Sequence, residues 1–263
     1  LEREWSLTGL AFAPHVVAVL QRALRASDTV SQGPGAWSVT VAVHDGAAVT
    51  AIWPGFHDAA CGIAFDVGST TVAGHLCDLH TGDVLASAGA MNPQIRFGED
   101  LMSRVSYVMM NPGSEKELTK AVRGCLAKLT AELASSAGVD RDDVLEVTLV
   151  GNPIMHHLLL GIDPTELGGA PFALAVDEAL RVRAADLGLP VNEGARAYVL
   201  PCIAGHVGAD TAGVILSEGP HLADEVNLIV DVGTNAEIVL GNRTRLLAAS
   251  SPTGPAFEGA QIS

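Results

Sequence analysis

The sequence predicts an α/β protein built on a duplicated strand–turn–strand unit and preceded by a small α+β domain. Two observations carry that prediction. The segments Ile63-Ala64-Phe65-Asp66-Val67-Gly68-Ser69-Thr70-Thr71 and Leu228-Ile229-Val230-Asp231-Val232-Gly233-Thr234-Asn235 share one pattern: apolar strand, Asp, apolar residue, Gly, hydroxyl residue, small polar residue. They lie about 165 residues apart, too far for a stacked solenoid and suited to two similar halves of one duplicated domain. Between them run helical apolar stripes and a buried strand, the mixture of an α/β core.

The elements follow in order. Residues 1–55 form the small unit. Its helix runs over Pro14–Ala26, with Val16, Val17, Val19, Leu20 and Leu24 at helical spacing, and Trp37–Val43 and Ala47–Trp53 alternate as a hairpin about His44-Asp45-Gly46. A second unit, residues 61–204, opens with three strands joined by tight turns (Gly62–Val67, Thr71–Leu79 and Val84–Ala88), an antiparallel meander. Helices are expected over Glu99–Met109 and Glu115–Ala137. The latter carries the stripe Leu118, Val122, Cys125, Leu126, Leu129 and Leu133, with Ser114 as N-cap and Glu117 as its box partner. Leu145–Val150 reads as a buried strand, Ile154–Leu160 as a short helix and Tyr198–Ile203 as a strand, while residues 161–196 yield no pattern. A third unit, residues 205–263, holds a small-residue helix over Gly208–Ser217 and then repeats the meander through residues 228–249.

Bulk properties narrow the function classes. The 263 residues are 48% apolar and 17% charged, which excludes disorder. Fifteen Lys and Arg face thirty Asp and Glu, a net charge of -15 without a basic cluster, so a nucleic-acid partner is not expected. A bound polyphosphate would have to be held locally, by backbone amides and a metal ion. The cysteines, Cys61, Cys77, Cys125 and Cys202, are too scattered for a zinc site or an iron–sulfur cluster and suit a reducing, cytoplasmic setting. No apolar run approaches the roughly 20 residues that span a membrane. The chain begins at Leu1 and ends at Ser263 without a polar tail, so both ends read as cut.

The two motifs suit phosphate chemistry. A carboxylate at the end of a buried strand is costly unless it is paired or faces a cation, so Asp66 and Asp231 are expected to organise one Mg²⁺, chiefly through its waters. Gly68 and Gly233 would let the backbone turn tightly, and Ser69, Thr70, Thr71, Thr234 and Asn235 would donate to phosphate oxygens. A single such turn is ordinary hairpin chemistry; two copies make a clamp.

This pair resembles the acetate and sugar kinase, heat-shock chaperone and actin superfamily. That implies an actin-like (ribonuclease-H-like) ATPase core, duplicated and incomplete at the C-terminus, with the helix from Gly208 crossing beneath the nucleotide cleft. Further strings narrow the likeness: Gly62–Gly74, Asn92-Pro93-Gln94 with Phe97–Val105, Val150–Gly161, Asp231–Glu237 and Thr253–Ala260. In this order they resemble the reductive activators of corrinoid proteins, ferredoxin-linked ATPases that return cobalamin to its active state for methyl transfer. The resemblance implies ATP and Mg²⁺ as ligands, and a corrinoid protein or corrinoid-dependent methyltransferase as partner. It places the iron–sulfur cluster in a domain absent from this sequence and makes residues 1–55 the remnant of a middle domain. The adenosine-binding face would also be missing, and a homodimer is left open. Rival readings are a kinase for a small carboxylate or sugar and a non-catalytic module of the same fold.

For orienting the attacking water, Asp210 and Glu258 are the candidates, with Glu237 equally well read as an outward strand carboxylate. Asn152 either faces the cleft or merely ends its strand. Arg104, four residues after Asp100, reads as a surface ion pair. His156 and His157 read as one packed and one exposed side chain, and Met102, Met109 and Met110 as core.

Overall fold

The computed structural model describes residues 5–28, 37–233 and 235–253, arranged around three sheets. The first contains β1 (Ala11–Phe12), β2 (Val39–His44) and β3 (Ala48–Pro54) in the order β1-β3-β2, with helix α1 (Pro14–Asp28) packed on β3. Val16 and Ala23 of α1 are buried, as are Val49 and Ala51 of β3. The β2–β3 hairpin turns at Asp45 and Gly46, both with positive φ (50° and 64°), the pair that matches strand twist in short hairpins. Strand β1 went unread in the sequence; it is two residues long and parallel to β3, too short to show a period.

The second sheet runs β6-β5-β4-β7-β9-β8. Its meander is β4 (Cys61–Val67), β5 (Thr71–Asp78) and β6 (Val84–Met91); β7 (Val144–Gly151) and β9 (Arg196–Val199) continue it in parallel, and β8 (Leu180–Arg183) closes it antiparallel to β9. Period two along β4 buries Ile63, Phe65 and Val67 on one face and turns Ala64 and Asp66 to the other. Helix α3 (Glu115–Ala137) covers the buried face through Leu118, Val122, Leu126, Leu129 and Leu133, each 2% exposed or less and each worth roughly 1.5–3 kcal/mol. Ser114 stands at the N-cap position of α3 as expected, but without a side-chain capping bond. It already has helical angles, and its N–H is bonded to the Asn111 carbonyl.

Helix α2 (Leu101–Met110) precedes α3, and α4 (Pro153–Leu160) follows β7. Met102, Met109 and Met110 are exposed, contrary to the core reading: α2 buries Arg104, Val105 and Val108, and Met102 instead lines an open cavity. His156 and His157 are both buried. The His157 ring sits between the Pro153 carbonyl (2.8 Å) and the Ala175 N–H (3.0 Å), which makes it neutral, with Nδ1 donating and Nε2 accepting. Burial lowers both imidazoles, His156 to about 4.

The small unit abuts the second sheet at named points. His44 Nδ1 lies 2.7 Å from Glu146 of β7, and His57, stacked on Trp53, lies 2.6 Å from Asp143. Gly194 lets the Thr50 carbonyl approach so closely that a Cβ there would stand 1.8 Å from that oxygen. Helix α5 (Ala209–Glu218) then leads to the third sheet, β10 (Asn227–Val232), β11 (Asn235–Asn242) and β12 (Arg245–Pro252), an antiparallel repeat of the first meander.

Candidate functional site

The first motif forms the β4–β5 turn. Gly68 is required there, since a Cβ would lie 2.6 Å from the Thr71 carbonyl oxygen. Three consecutive carbonyls of the turn are held from the protein side. Asn92 Nδ2 donates to Gly68 O (2.8 Å), Arg104 Nη2 to Ser69 O (2.6 Å), and the Asn92 backbone N–H to Thr70 O (2.7 Å). Asn92 and Arg104 are wholly buried, and both also contact the Met155 sulfur. Arg104 is therefore no surface partner of Asp100, whose carboxylate instead caps α2 by accepting from Ser103 N. The guanidinium turns inward because Gly98 O offers a second acceptor at 3.0 Å. The strings Asn92–Gln94, Phe97–Val105 and Val150–Gly161 thus supply the scaffold behind the turn.

The second motif forms the β10–β11 turn. Gly233 donates to Asn235 O (2.8 Å), and its carbonyl accepts from Thr253 Oγ1 (2.6 Å). Among the described residues, the nearest atom to a Cβ on Gly233 would be Asn235 O at 3.6 Å, an ordinary contact. Thr234 and Glu258 lie outside the described residues.

Around the turns stand four carboxylates whose charges act on one another. Asp66 is the penultimate residue of β4 and Asp231 that of β10. Asp231 pairs across the ladder with Glu237, whose counterpart in the first meander is Ala73, opposite Asp66. Water reaches Asp66, yet the surrounding protein raises its carboxyl, with the Asp231 charge adding to the rise. Burial raises Glu237 as well, offset by the Ser250 hydroxyl at 3.2 Å and reinforced by Asp231. Asp210, in the first turn of α5, is pushed up to about 6. Burial is the main cause, the Thr211 N–H at 2.7 Å opposes it, and Glu237, Asp66 and Asp231 add to it.

Asp210 is fixed by close packing of α5 on β7. A Cβ at Gly208 would meet Asn152 Cα at 2.6 Å and Gly151 O at 2.7 Å. Asn152 meets both readings: it caps α4 by accepting from Met155 N, and it lines a cavity of about 570 Å³ with Asn235, Glu237, Ser250 and His206. Leu101, Met102, Pro153, Ile154 and Leu167 form the apolar side of that cavity.

The donor set fits a hard dication. Burial chiefly, with like charges adding to it, holds three of the four carboxyls above their ordinary values, and a divalent cation among them would offset that cost. Among the described residues no three His, Cys, Asp or Glu side chains converge closely enough to hold an ion directly. A cation here would keep much of its water shell, as Mg²⁺ does beside phosphates. The same residues do not fit an iron–sulfur cluster: the four cysteines are separate, and Cys61, Cys125 and Cys202 are buried thiols whose pKa values burial raises, that of Cys202 to about 12.

Sequence reasoning placed Asp66, Asp210 and Asp231 in one neighbourhood, left Glu237 undecided, and did not propose Asn92, Arg104 or Thr253 as site residues. For Glu237 a signal existed: it stands two residues after Asn235 on one strand, hence on the same face.

Repeated strand–turn–strand units, each with an Asp before a glycine turn, and a helix wedged between them define an actin-like ATPase fold. A family model described as "C-terminal domain of RACo the ASKHA domain" matches residues 225–263, and one described as "RACo middle region" matches residues 61–223. The chain belongs to the RACo family. The solved structure named "Reductive activator for corrinoid,iron-sulfur protein" superposes with a TM-score of 0.86 at 33% identity, covering 100% of this chain and 41% of that one. "Corrinoid activation enzyme RamQ" of Eubacterium limosum is 37% identical over 201 residues, 76% of this chain and 34% of the relative. "[Co(II) methylated amine-specific corrinoid protein] reductase" of Methanosarcina barkeri is 26% identical over 211 residues, 77% of this chain and 38% of the relative. The chain thus spans little more than a third of the curated relatives it matches. No helix among the described residues is long and apolar enough to cross a membrane.

Proposed function

We propose that this chain is the phosphate-gripping part of an ATP-driven reductive activator of corrinoid proteins, acting in a reducing, cytoplasmic setting. One observation supports the reading: each strand leading into a turn carries an Asp at its penultimate position, and the charges of Asp66, Asp231 and Asp210 act on one another. In this reading the amides and hydroxyls of Ser69, Thr70, Thr71, Thr234 and Asn235 bind phosphate oxygens beside Gly68 and Gly233. Asp66 and Asp231 hold the waters of Mg²⁺, which when bound neutralises phosphate charge. Asp210 orients the attacking water. Its raised proton affinity makes it a better acceptor than an ordinary carboxylate, and the Thr211 amide fixes Oδ1, leaving Oδ2 for the water. Glu258 is the alternative for that role. Approach of the third sheet toward the second on the nucleotide would transmit work to the corrinoid partner, while the electron would enter from an iron–sulfur domain outside Leu1–Ser263.

The kinase reading draws support from the cavity of about 570 Å³ beside Glu237, which is large enough for a small acceptor. It predicts ADP formation that depends on a carboxylate or sugar, whereas an activator responds to a corrinoid protein and a reductant. The decisive measurement is Mg-ATP hydrolysis by full-length Asp231→Ala, with cobalt reduction followed by absorbance. Both should fall at least roughly a hundredfold, on the scale seen when a charge-stabilising group is removed. Unchanged hydrolysis would sink the assignment.

A further inference from the structure

The two meanders share a device beyond their turns. Met91 ends β6 opposite Thr71, and Pro252 ends β12 opposite Asn235. The residue immediately after each, Asn92 and Thr253, reaches back with its side chain to the carbonyl of the turn glycine, Gly68 (2.8 Å) and Gly233 (2.6 Å). Asn and Thr have little in common except a short side-chain donor. Equivalent places therefore do the same job with different chemistry.

What the job accomplishes follows from the planar trans peptide. A carbonyl and the N–H that follows it point in opposite directions, so a carbonyl held toward the protein turns the next N–H away from it. In the first turn the carbonyls of Gly68, Ser69 and Thr70 are all held in this way by Asn92 and Arg104. The N–H groups of Ser69, Thr70 and Thr71 are thereby turned together toward the opposite side, forming an anion-binding concavity. Unheld, the same carbonyls could rotate outward and present lone pairs to a phosphate.

We propose that Asn92 and Thr253 are paired positioning residues that fix the peptide orientation of the two phosphate turns, with Arg104 reinforcing the first. They act through the backbone and touch no ligand themselves. The inference rests on the phosphate-binding reading above and specifies which residues keep that surface donor-rich. Among the described residues the first turn has three carbonyls anchored on buried partners, and Thr253 holds the Gly233 carbonyl from a half-buried position.

The test uses the full-length protein with Asn92→Asp and Thr253→Val. Asn92→Asp keeps the oxygen that accepts from Gln94 N and loses the donor to Gly68. Thr253→Val keeps volume and loses the hydroxyl, and Thr253→Ser restores it. Calorimetric titration with ATP, ADP and adenosine reads the outcome. Each donor loss should weaken ATP and ADP about tenfold, the scale of one hydrogen bond, leave adenosine unchanged, and be reversed in Thr253→Ser. Purely structural damage lowers all three ligands by one factor, and that result, or an unchanged ATP-to-adenosine ratio, overturns the proposal. Should Asn92→Asp fail to fold, Thr253→Val decides alone. A wild-type protein with no phosphate-dependent binding removes the nucleotide reading itself and this inference with it.

Discussion

Replacing Asp210 by Asn should stabilise the nucleotide-free protein, and the size of the effect is fixed by the surroundings of the side chain. Asn retains Oδ1, the atom that accepts the Thr211 amide at 2.7 Å, and removes only the charge. The Asp210 pKa moves from 3.8 in the unfolded chain to about 6 in the fold. At about 1.4 kcal/mol per unit, the folded state forfeits about 3 kcal/mol when Asp210 is ionised. The sign follows from which state holds the proton more tightly. Below pH 3.8 both states are protonated and the cost is absent; it grows as pH rises toward 6 and is constant above about 7. Urea unfolding of wild type and Asp210→Asn at pH 4, 5, 6, 7 and 8 should therefore give curves that lie closest together at the acid end. They should diverge by about 3 kcal/mol at the alkaline end, with the variant more stable. Millimolar Mg²⁺ with ATP should shrink that gap, while ATP hydrolysis by the variant should be lost. A difference that is constant across pH, or a less stable variant at pH 8, would refute a carboxylate raised chiefly by its burial and further by Glu237, Asp66 and Asp231.

Other expectations follow from contacts. Gly68→Ala forces a Cβ to within 2.6 Å of the Thr71 carbonyl and should cost roughly 1–3 kcal/mol, whereas Gly233→Ala, with 3.6 Å available, should cost well under 1; thermal melts compare them. Gly194→Ala drives a Cβ into the Thr50 carbonyl and should loosen the small unit from the second sheet, seen as faster proteolysis between residues 54 and 60. Arg104→Met should cost roughly 3 kcal/mol or more in urea unfolding, because the Gly98 and Ser69 carbonyls lose their buried donor.

Much of this protein is legible in its sequence because its strongest features are local. The meander Cys61–Met91 follows from three successive strands joined by tight turns, and α3 from an apolar stripe over Leu118–Leu133 with bounds that the periodicity gives correctly. Asp66 and Asp231 stand out because the same unusual string occurs twice. The parts that escaped depend on partners distant in sequence. Arg104 has the spacing of an exposed ion pair with Asp100, and only the carbonyls of Ser69 and Gly98, brought together by folding, explain its burial. Strand β8 is four residues in a stretch of prolines and glycines, and is a strand solely because β9 offers an edge. Glu237 stays undecided between a site role and an outward strand carboxylate until the ladder sets it opposite Asp231.

The packing of α5 on β7 has a mechanical consequence. Gly208 anchors the start of the helix on Gly151 and Asn152, so Asp210 travels with the second sheet, while Asp231 and Glu237 travel with the third. Any rotation about α5 changes the separation of these two sets of negative charge. In the proposed reading, repulsion between the two sets would oppose approach of the third sheet toward the second, and a cation between them would reverse that effect. On that reading, each carboxylate added to or removed from the cluster would shift the preferred separation of the two sheets.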